Sequence, residues 1–180
     1  MMDLKKLLKP RTVAIVGASE KAGFGGDTTR NYLKFSKNLD RLYLVNPGRD
    51  TIFGQKAYHS LSEIEGDVDL VILCTPQKTI LPLLEEAAAK NCGGAIVFAS
   101  GYSEIGEEGK VLQEALVEKA NKLGIAVMGP NCAGFANFID GIFAFAFLVE
   151  ERDRRGNIGM ISQSGQIVLG GLDSPNMGFS

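Results

Sequence analysis

The 180-residue sequence predicts an α/β protein with a mainly parallel sheet and helices on both faces. Two observations support this prediction. Short apolar, β-branched runs alternate along the chain with helix-forming segments. Each apolar run ends in a segment rich in Gly, Pro, Ser or Asn, which is typical of strand ends. Because such strands are apolar on both faces, and because crossovers between parallel strands are right-handed, the expected fold is doubly wound and Rossmann-like.

Apolar runs predict the strands, which lie at residues 12–17, 41–46, 69–74, 94–99, 125–129 and 157–162. Pro47-Gly48 stops the second strand, and Thr75-Pro76 stops the third. Residues 135–156 are harder to assign. Phenylalanines at 143, 145 and 147 alternate there with small residues, which predicts a strand or a hairpin arm with one aromatic face. That face either packs in the core or is an exposed patch that another domain covers.

The helices are predicted between these strands, at residues 27–35, after residue 60, at 78–91, at 107–124 and from residue 164. Asp27 is the expected N-cap of the first helix. Ser60 and Glu63 have the spacing of a capping box. Pro82 is expected in the first turn of its helix, and Gly124 is expected to end the long helix.

Composition and charge exclude several functional classes. The formal net charge is −2, with 19 basic and 21 acidic residues, so the sequence gives no electrostatic case for binding nucleic acid or an anionic membrane. The most apolar window, residues 141–149, is much shorter than a membrane span. Since no segment resembles a signal peptide, a cytoplasmic protein is expected. The cysteines at 74, 92 and 132 lack metal-ligand spacing, so no metal site is predicted.

The segment TVAIVGASEKAGFGG, residues 12–26, predicts a strand that runs into a glycine-rich, phosphate-binding loop. It is not a GxxxxGK[ST] loop, because no lysine follows Gly26. It fits GxGxxG poorly, because Ser19 occupies the position of the second glycine. The second strand ends with Asn46 and Arg49 rather than with an acidic residue. An arginine there suits a ribose that carries its own phosphate, as in NADP or coenzyme A.

Taken in order, several segments resemble the CoA-binding domain of NDP-forming acyl-CoA synthetases. They are VAIVGAS with its following glycines, LVNP, VILCTP, GAIVFASGYSE, MGPNCAGF and GNIGMISQSGQ. This family includes ADP-forming acetate–CoA ligase and the α-subunit of succinyl-CoA synthetase. The resemblance implies coenzyme A as cofactor and the reaction acyl-CoA + ADP (or GDP) + phosphate = acid + CoA + ATP (or GTP), through an acyl phosphate and a phosphohistidine.

The resemblance also implies that this chain is the first module of a ligase and is not catalytic alone. Residues 1–150 would form the CoA-binding domain. Residues 151–180 would begin a truncated flavodoxin-like domain or complete the first one. The phosphohistidine and ATP-grasp modules, which use ATP, ADP and Mg²⁺, are expected beyond residue 180 or on another subunit. The expected partners are therefore CoA or acyl-CoA and those modules, and a homo-oligomer is compatible with the sequence.

The same resemblance implies which residues contact the ligand. The CoA loop corresponds to Gly17, Ala18, Ser19, Glu20 and Lys21, where backbone N–H groups and the following helix start can hold a phosphate. The other CoA contacts fall at strand ends, at Asn46, Pro47, Arg49, Thr75, Pro76, Ser100, Gly101 and Asn131. Phosphate-binding residues are Ser162, Ser164 and Gly165, at the start of the last predicted helix.

Individual roles follow for some of these residues. Arg49 is expected to bind the 3′-phosphate of CoA, and Asn131 to donate to an acyl or pantetheine carbonyl. Ser100-Gly101 occupies a strand end where succinyl-CoA synthetase has a Glu-Gly pair close to the thiol, and this sequence lacks that glutamate.

No catalytic residue is assigned from the sequence. His59, the single histidine, is expected to be a surface or packing residue and does not match the family's catalytic histidine. Cys132 has no His or Lys beside it in sequence to activate a thiolate. Two other functions remain open, namely a stand-alone CoA-responsive binding or regulatory module and an NADP-binding oxidoreductase domain.

Overall fold

The computed structural model describes residues 4–36, 38–149 and 158–173. The helices in these ranges are α1 (Lys5–Leu8), α2 (Phe24–Phe35), α3 (Ile80–Ala88), α4 (Glu107–Leu123) and α5 (Gly165–Asp173). The strands are β1 (Thr12–Val16), β2 (Arg41–Val45), β3 (Thr51–Ile52), β4 (Gln55–Tyr58), β5 (Leu70–Leu73), β6 (Gly94–Val97), β7 (Ala126–Met128), β8 (Gly134–Asn137) and β9 (Ile142–Phe145). None of these helices is long and apolar enough to cross a membrane.

Seven strands form one sheet in the order β3-β4-β2-β1-β5-β6-β7. All neighbouring strands are parallel except β3 and β4. The chain builds outward from β1 to β2 and β4, and then returns to place β5 on the other side of β1. The predicted doubly wound, mainly parallel α/β fold is confirmed.

Two cores lie on opposite faces of the sheet. Alternate residues of β1 point to opposite sides, so that Val13 belongs to one core and Ala14 to the other. The Ala14 side packs under α3 and α4, through Leu84 and Leu116. The Val13 side packs under α1, α2 and β9, through buried residues that include Tyr32. Helices therefore cover both faces, as the continuously apolar strands predict.

The strand predictions are wrong at two places. The strand expected at 157–162 does not form, since Ile158 makes an isolated bridge and residues 159–162 are irregular, while residue 157 lies outside the described ranges. An apolar run becomes a strand only when its backbone groups find a neighbour to pair with. The opposite error concerns β3 and β4, which the sequence did not predict because their exposed positions are polar.

Two predicted helix caps are also wrong. Helix α2 begins at Phe24 with Gly23 as its N-cap, so Asp27 lies in the first turn and its N–H donates to the Gly23 carbonyl. Ser60 makes no capping bond, because the Glu63 carboxylate accepts from the N–H of His59 instead, and only a 3₁₀ turn follows.

Other helix predictions are confirmed. Pro82 lies in the first turn of α3, where its missing N–H removes no helical bond. Gly124 ends α4 with a left-handed φ of 72°.

The segment with alternating phenylalanines forms the second arm of an antiparallel hairpin, β8–β9. Phe143 and Phe145 are buried, so this arm belongs to the core, whereas Phe147 is 36% exposed. Asn31 of α2 ties the arm to the helix. Its amide donates to the carbonyls of Phe145 (3.1 Å) and Phe147 (2.7 Å), and its carbonyl oxygen accepts from the N–H of Val149 (3.0 Å).

Replacing Asn31 by leucine should therefore lower the free energy of unfolding by about 2–4 kcal/mol, because the Phe147 carbonyl and the Val149 N–H lose this partner. The Phe145 carbonyl keeps its bond from the Thr28 hydroxyl. Urea denaturation measures this loss. Asn38→Ala is the matched control, since Asn38 is exposed and its side-chain amide donates to the Asp140 carbonyl (2.7 Å). Equal losses in the two variants would contradict the role given to Asn31.

Candidate functional site

The carboxyl ends of the parallel strands meet at one edge of the sheet. The strand order reverses between β1 and β5, and doubly wound sheets bind their ligands at such a switch point, in a crevice at the carboxyl ends of the strands. The region above β1 and β5 at this edge is here called the crevice. The predicted CoA contacts all follow strands that end here. They are Gly17 to Lys21 after β1, Asn46, Pro47 and Arg49 after β2, Thr75 and Pro76 after β5, Ser100 and Gly101 after β6, and Asn131 after β7.

The predicted phosphate-binding residues belong to another part of the chain. Ser162, Ser164 and Gly165 lie at the start of α5. The Ser164 hydroxyl accepts from the N–H of Ile167 at 3.5 Å, in the manner of an N-cap, and Ser162 Oγ accepts from the N–H of Ser164 at 3.0 Å. No hydrogen bond within the described ranges joins these three residues to the sheet edge.

Close backbone packing shapes the loop between β1 and α2. Gly17 has a φ of +85°, and a Cβ there would lie 2.7 Å from the carbonyl oxygen of Cys74. A Cβ on Gly25 would lie 2.0 Å from the Gly17 carbonyl oxygen, and one on Gly26 would lie 1.7 Å from that of Lys21. The first turn of α2 therefore rests directly on the loop. Sequence reasoning missed the role of Gly25 and Gly26, because their spacing from Gly17 differs from the GxGxxG pattern.

The start of α2 is built to receive an anion. Its N-cap, Gly23, has a φ of +118° and no side chain, so no side chain caps the helix. The first N–H groups of a helix have no acceptor within the helix, and they carry the positive end of its dipole. Asp27, the acidic residue of this turn, is paired with Arg30 at 3.1 Å. A phosphate group therefore fits here.

Strand β2 holds the first half of the loop. The N–H groups of Gly17 and Ala18 both donate to the carbonyl of Val45, at 2.9 and 3.2 Å. The Asn46 amide donates to the carbonyl of Ala18 at 2.8 Å, and its oxygen accepts from the N–H of Gly48 at 2.9 Å. These groups are used within the protein, so Gly17, Ala18 and Asn46 shape the loop. Among the described residues, the N–H groups of Ser19 and Glu20 make no such bond, so they remain available to a ligand together with those at the helix start.

The β3–β4 hairpin holds the second half of the loop. The Glu20 carboxylate accepts from the N–H of Phe53 at 2.6 Å. Arg30 donates to the Glu20 carbonyl, and its guanidinium lies 5.3 Å from the centre of the Phe53 ring. The Ser19 hydroxyl accepts from the N–H of Lys21 at 3.0 Å. Sequence reasoning missed the contribution of Phe53, whose contact with the loop depends on the turn between β3 and β4.

The strand ends and loops that border the crevice are here called its rim, and two cationic side chains there remain available to a ligand. Lys21 and Arg49 are exposed. Within the described part of the chain, neither side chain has a hydrogen-bond or ion-pair partner. Arg49 follows β2 and is held by a backbone bond from its N–H to the Asn46 carbonyl at 3.3 Å. It therefore lies on the β2 side of the crevice and can bind a phosphate there.

The ends of β5, β6 and β7 complete the rim. Thr75 Oγ1 accepts from the Thr79 hydroxyl at 2.8 Å, which fixes the turn that contains Pro76. The N–H of Gly101 donates to the Glu104 carboxylate at 2.6 Å, so a carboxylate does reach this strand end, supplied from three residues later in the chain. Asn131 is exposed and has a left-handed φ of 52°.

The cysteines near the crevice are not activated. Burial raises the pKa of the Cys74 thiol to about 12 and also raises the pKa of Cys132. Both thiols therefore stay protonated at neutral pH, where a nucleophile would have to be a thiolate.

His59 follows β4 and contacts two carboxylates, those of Asp50 (3.2 Å) and Glu63 (3.5 Å). Among the described residues, no group of three or more His, Cys, Asp or Glu side chains is placed to hold a metal ion.

The residues that build this crevice match a known family. The family model described as "CoA binding domain" matches residues 11–137, a range that runs from β1 to β8. The chain belongs to the CoA-binding domain family. The arginine after β2 suits coenzyme A and NADP alike, and the family match favours coenzyme A.

Relatives of this CoA-binding domain are much longer proteins. ADP-forming acetate–CoA ligase II of Archaeoglobus fulgidus is 36% identical over 99% of this chain and 27% of its own length. The α-subunit of ADP-forming acetate–CoA ligase II of Pyrococcus furiosus is 35% identical over 93% of this chain and 36% of its own length.

A solved relative shares the fold. The dinucleotide-forming acetyl-coenzyme A synthetase 1 of Ca. Korarchaeum cryptofilum, in complex with phosphate and ADP, has a TM-score of 0.84 and 30% identity, over 96% of this chain and 36% of that chain. This CoA-binding domain thus spans about a quarter to a third of the proteins it resembles.

Replacing Gly25 by alanine should lower the free energy of unfolding by about 2–3 kcal/mol and abolish CoA binding, because the added Cβ forces α2 away from the loop. Denaturation and calorimetric titration measure the two effects. Gly124→Ala is the control. Unlike Gly25, Gly124 has a positive φ, which strains an alanine, but a Cβ there meets no atom within 4 Å, so the substitution should cost about 1 kcal/mol and leave CoA affinity unchanged. Unchanged CoA binding by Gly25→Ala would refute this account of the loop.

Proposed function

We propose that this chain is the CoA-binding module of an ADP-forming acid–CoA ligase and that it binds CoA or acyl-CoA at the carboxyl edge of its sheet. The observation that carries the proposal is the family match, which covers the segments that build the crevice. The names and lengths of the relatives support the assignment to a ligase.

In this proposal the two ends of the crevice hold different parts of CoA. The uncapped start of α2 binds the diphosphate, with Lys21 adding positive charge. Arg49 binds the 3′-phosphate at the end of β2, and the turn of Thr75 and Pro76 contacts the adenosine. The pantetheine arm is attached to the diphosphate and extends from it toward the ends of β6 and β7. There, Asn131 donates to an acyl or pantetheine carbonyl.

The ligase reaction needs more than this module. The proposed overall reaction converts acyl-CoA, ADP and phosphate to acid, CoA and ATP through a phosphohistidine. The histidine and ATP-grasp modules act in cis or as another subunit, and ATP, ADP and Mg²⁺ bind to those modules. Residues 1–150 form the CoA-binding domain, and residues 151–180 belong to it or begin the next domain. Ser162, Ser164 and Gly165 then present the start of α5 to phosphate, and the assembly works in the cytoplasm.

The role of Arg49 is tested with CoA and dephospho-CoA. Arg49→Ala should weaken CoA binding about 10- to 100-fold, because it removes a charge-assisted hydrogen bond to the 3′-phosphate. It should leave dephospho-CoA binding unchanged, as calorimetry can measure. Arg41→Ala is the matched control, since Arg41 begins the same strand and therefore lies at the opposite edge of the sheet. Equal affinity of the unaltered protein for CoA and dephospho-CoA would exclude the role of Arg49.

The chain alone should make no acyl-CoA from acetate, CoA, ATP and magnesium. Its single histidine contacts two carboxylates at the end of β4, and the proposed relay needs a histidine and a nucleotide site from other modules. A thioester assay and a test for acid-labile phosphoprotein measure the expected absence. If the purified chain makes acyl-CoA and His59→Ala abolishes that synthesis, the proposal that other modules are needed is wrong.

A further inference from the structure

Three phenylalanine rings form a cluster at the crevice, here called the aromatic wall: Phe24, Phe98 and Phe147. The ring centres of Phe24 and Phe98 are 5.8 Å apart, and those of Phe24 and Phe147 are 6.0 Å apart, with edge-to-face geometry in both pairs. Phe98 is buried, but Phe24 is 45% exposed and Phe147 is 36% exposed. The wall therefore presents aromatic surface to solvent beside the start of α2.

The wall lies on one particular side of the crevice. Phe24 is the first residue of α2 and adjoins the helix start that receives the diphosphate in the proposed function. Phe98 directly follows β6, and a Cβ on Gly134 would lie 3.1 Å from its ring. The wall thus reaches from the helix start toward β6 and the segment after β7. Arg49 lies at the end of β2, on the opposite side of β1.

The exposed rings are held in place. Phe147 contacts Phe145 at 5.8 Å between ring centres, and its carbonyl accepts from the amide of Asn31. Phe24 is fixed by its place in the first turn of α2, which rests on the loop through Gly25. A surface that is already ordered binds an apolar group without a further ordering cost.

We propose that the aromatic wall is the surface against which the pantetheine arm of CoA packs, and that Phe24 and Phe147 contribute to affinity through this arm alone. The inference rests on the proposed function, which gives the direction of the ligand. With the 3′-phosphate at Arg49 and the diphosphate at the start of α2, the arm leaves the diphosphate on the side of Phe24. The arm carries a geminal dimethyl group and several methylene groups, and packing these on aromatic rings removes apolar surface from water.

The test compares CoA with adenosine 3′-phosphate 5′-diphosphate, which keeps the adenosine, its 3′-phosphate and the diphosphate but lacks the arm. Calorimetry on the full chain should show that Phe24→Ala weakens CoA binding about three- to tenfold and changes binding of the arm-free nucleotide by less than about twofold. Phe147→Ala should act in the same direction. Phe24→Leu should recover part of the CoA affinity, because it restores apolar surface. Binding of the arm-free nucleotide by each variant also verifies that the protein is folded.

Val117→Ala is the control, because Val117 is 53% exposed and lies in α4, which covers the face of the sheet opposite α2 and the wall. It should leave the ratio of the two affinities as in the unaltered protein. Unchanged CoA affinity in both Phe24→Ala and Phe147→Ala overturns the inference, and so does an equal loss for both ligands. Failure of the unaltered chain to bind CoA would overturn the proposed function itself. That result differs from CoA binding that the substitutions in the wall leave unchanged, which overturns only the inference about the wall.

Discussion

The site depends on one close contact, in which the first turn of α2 rests on the backbone of the loop after β1. The contact is possible because Gly25 has no side chain that would clash with the carbonyl of Gly17. Gly17 also lacks a side chain, so it can adopt a positive φ and lie close to the carbonyl of Cys74. This packing brings the positive end of the helix dipole to the crevice between β1 and β5. The same contact fixes the position of Phe24, so the anion site and the aromatic wall share one structural cause.

Several residues that resemble ligand contacts in sequence are in fact holding the loop. The Asn46 side chain bridges two backbone groups, and the Glu20 carboxylate is bonded to the β3–β4 turn. A residue type and its place in a motif indicate that it belongs to a site, but they do not show whether its polar atoms face the ligand or the protein. That distinction requires the partners of each atom, which come from segments distant in sequence.

The sequence predicted the strands of the central sheet because those strands are apolar on both faces, and burial of both faces leaves a strong signal. It did not predict β3 and β4, whose pairing relies on a two-residue turn at Phe53 rather than on apolar patterning. It misplaced the start of α2, because Asp27 is a better capping residue by type than Gly23. Close backbone packing decided that helix start, and such packing is visible only in three dimensions.

Local charge at the crevice differs from the charge of the whole chain, which is −2. Three acidic residues near the rim are engaged by the protein: Glu20 by the N–H of Phe53, Asp27 by Arg30 and Glu104 by the N–H of Gly101. A fourth, Asp50, adjoins Arg49 and contacts His59. The cations Lys21 and Arg49, by contrast, have no such partners in the described ranges. An anionic ligand therefore meets free cations and helix N–H groups, while the carboxylates of Glu20, Asp27 and Glu104 already have donors. Net charge decides how the chain behaves toward polyanions at a distance, and the pairing of individual groups decides which anion the crevice accepts.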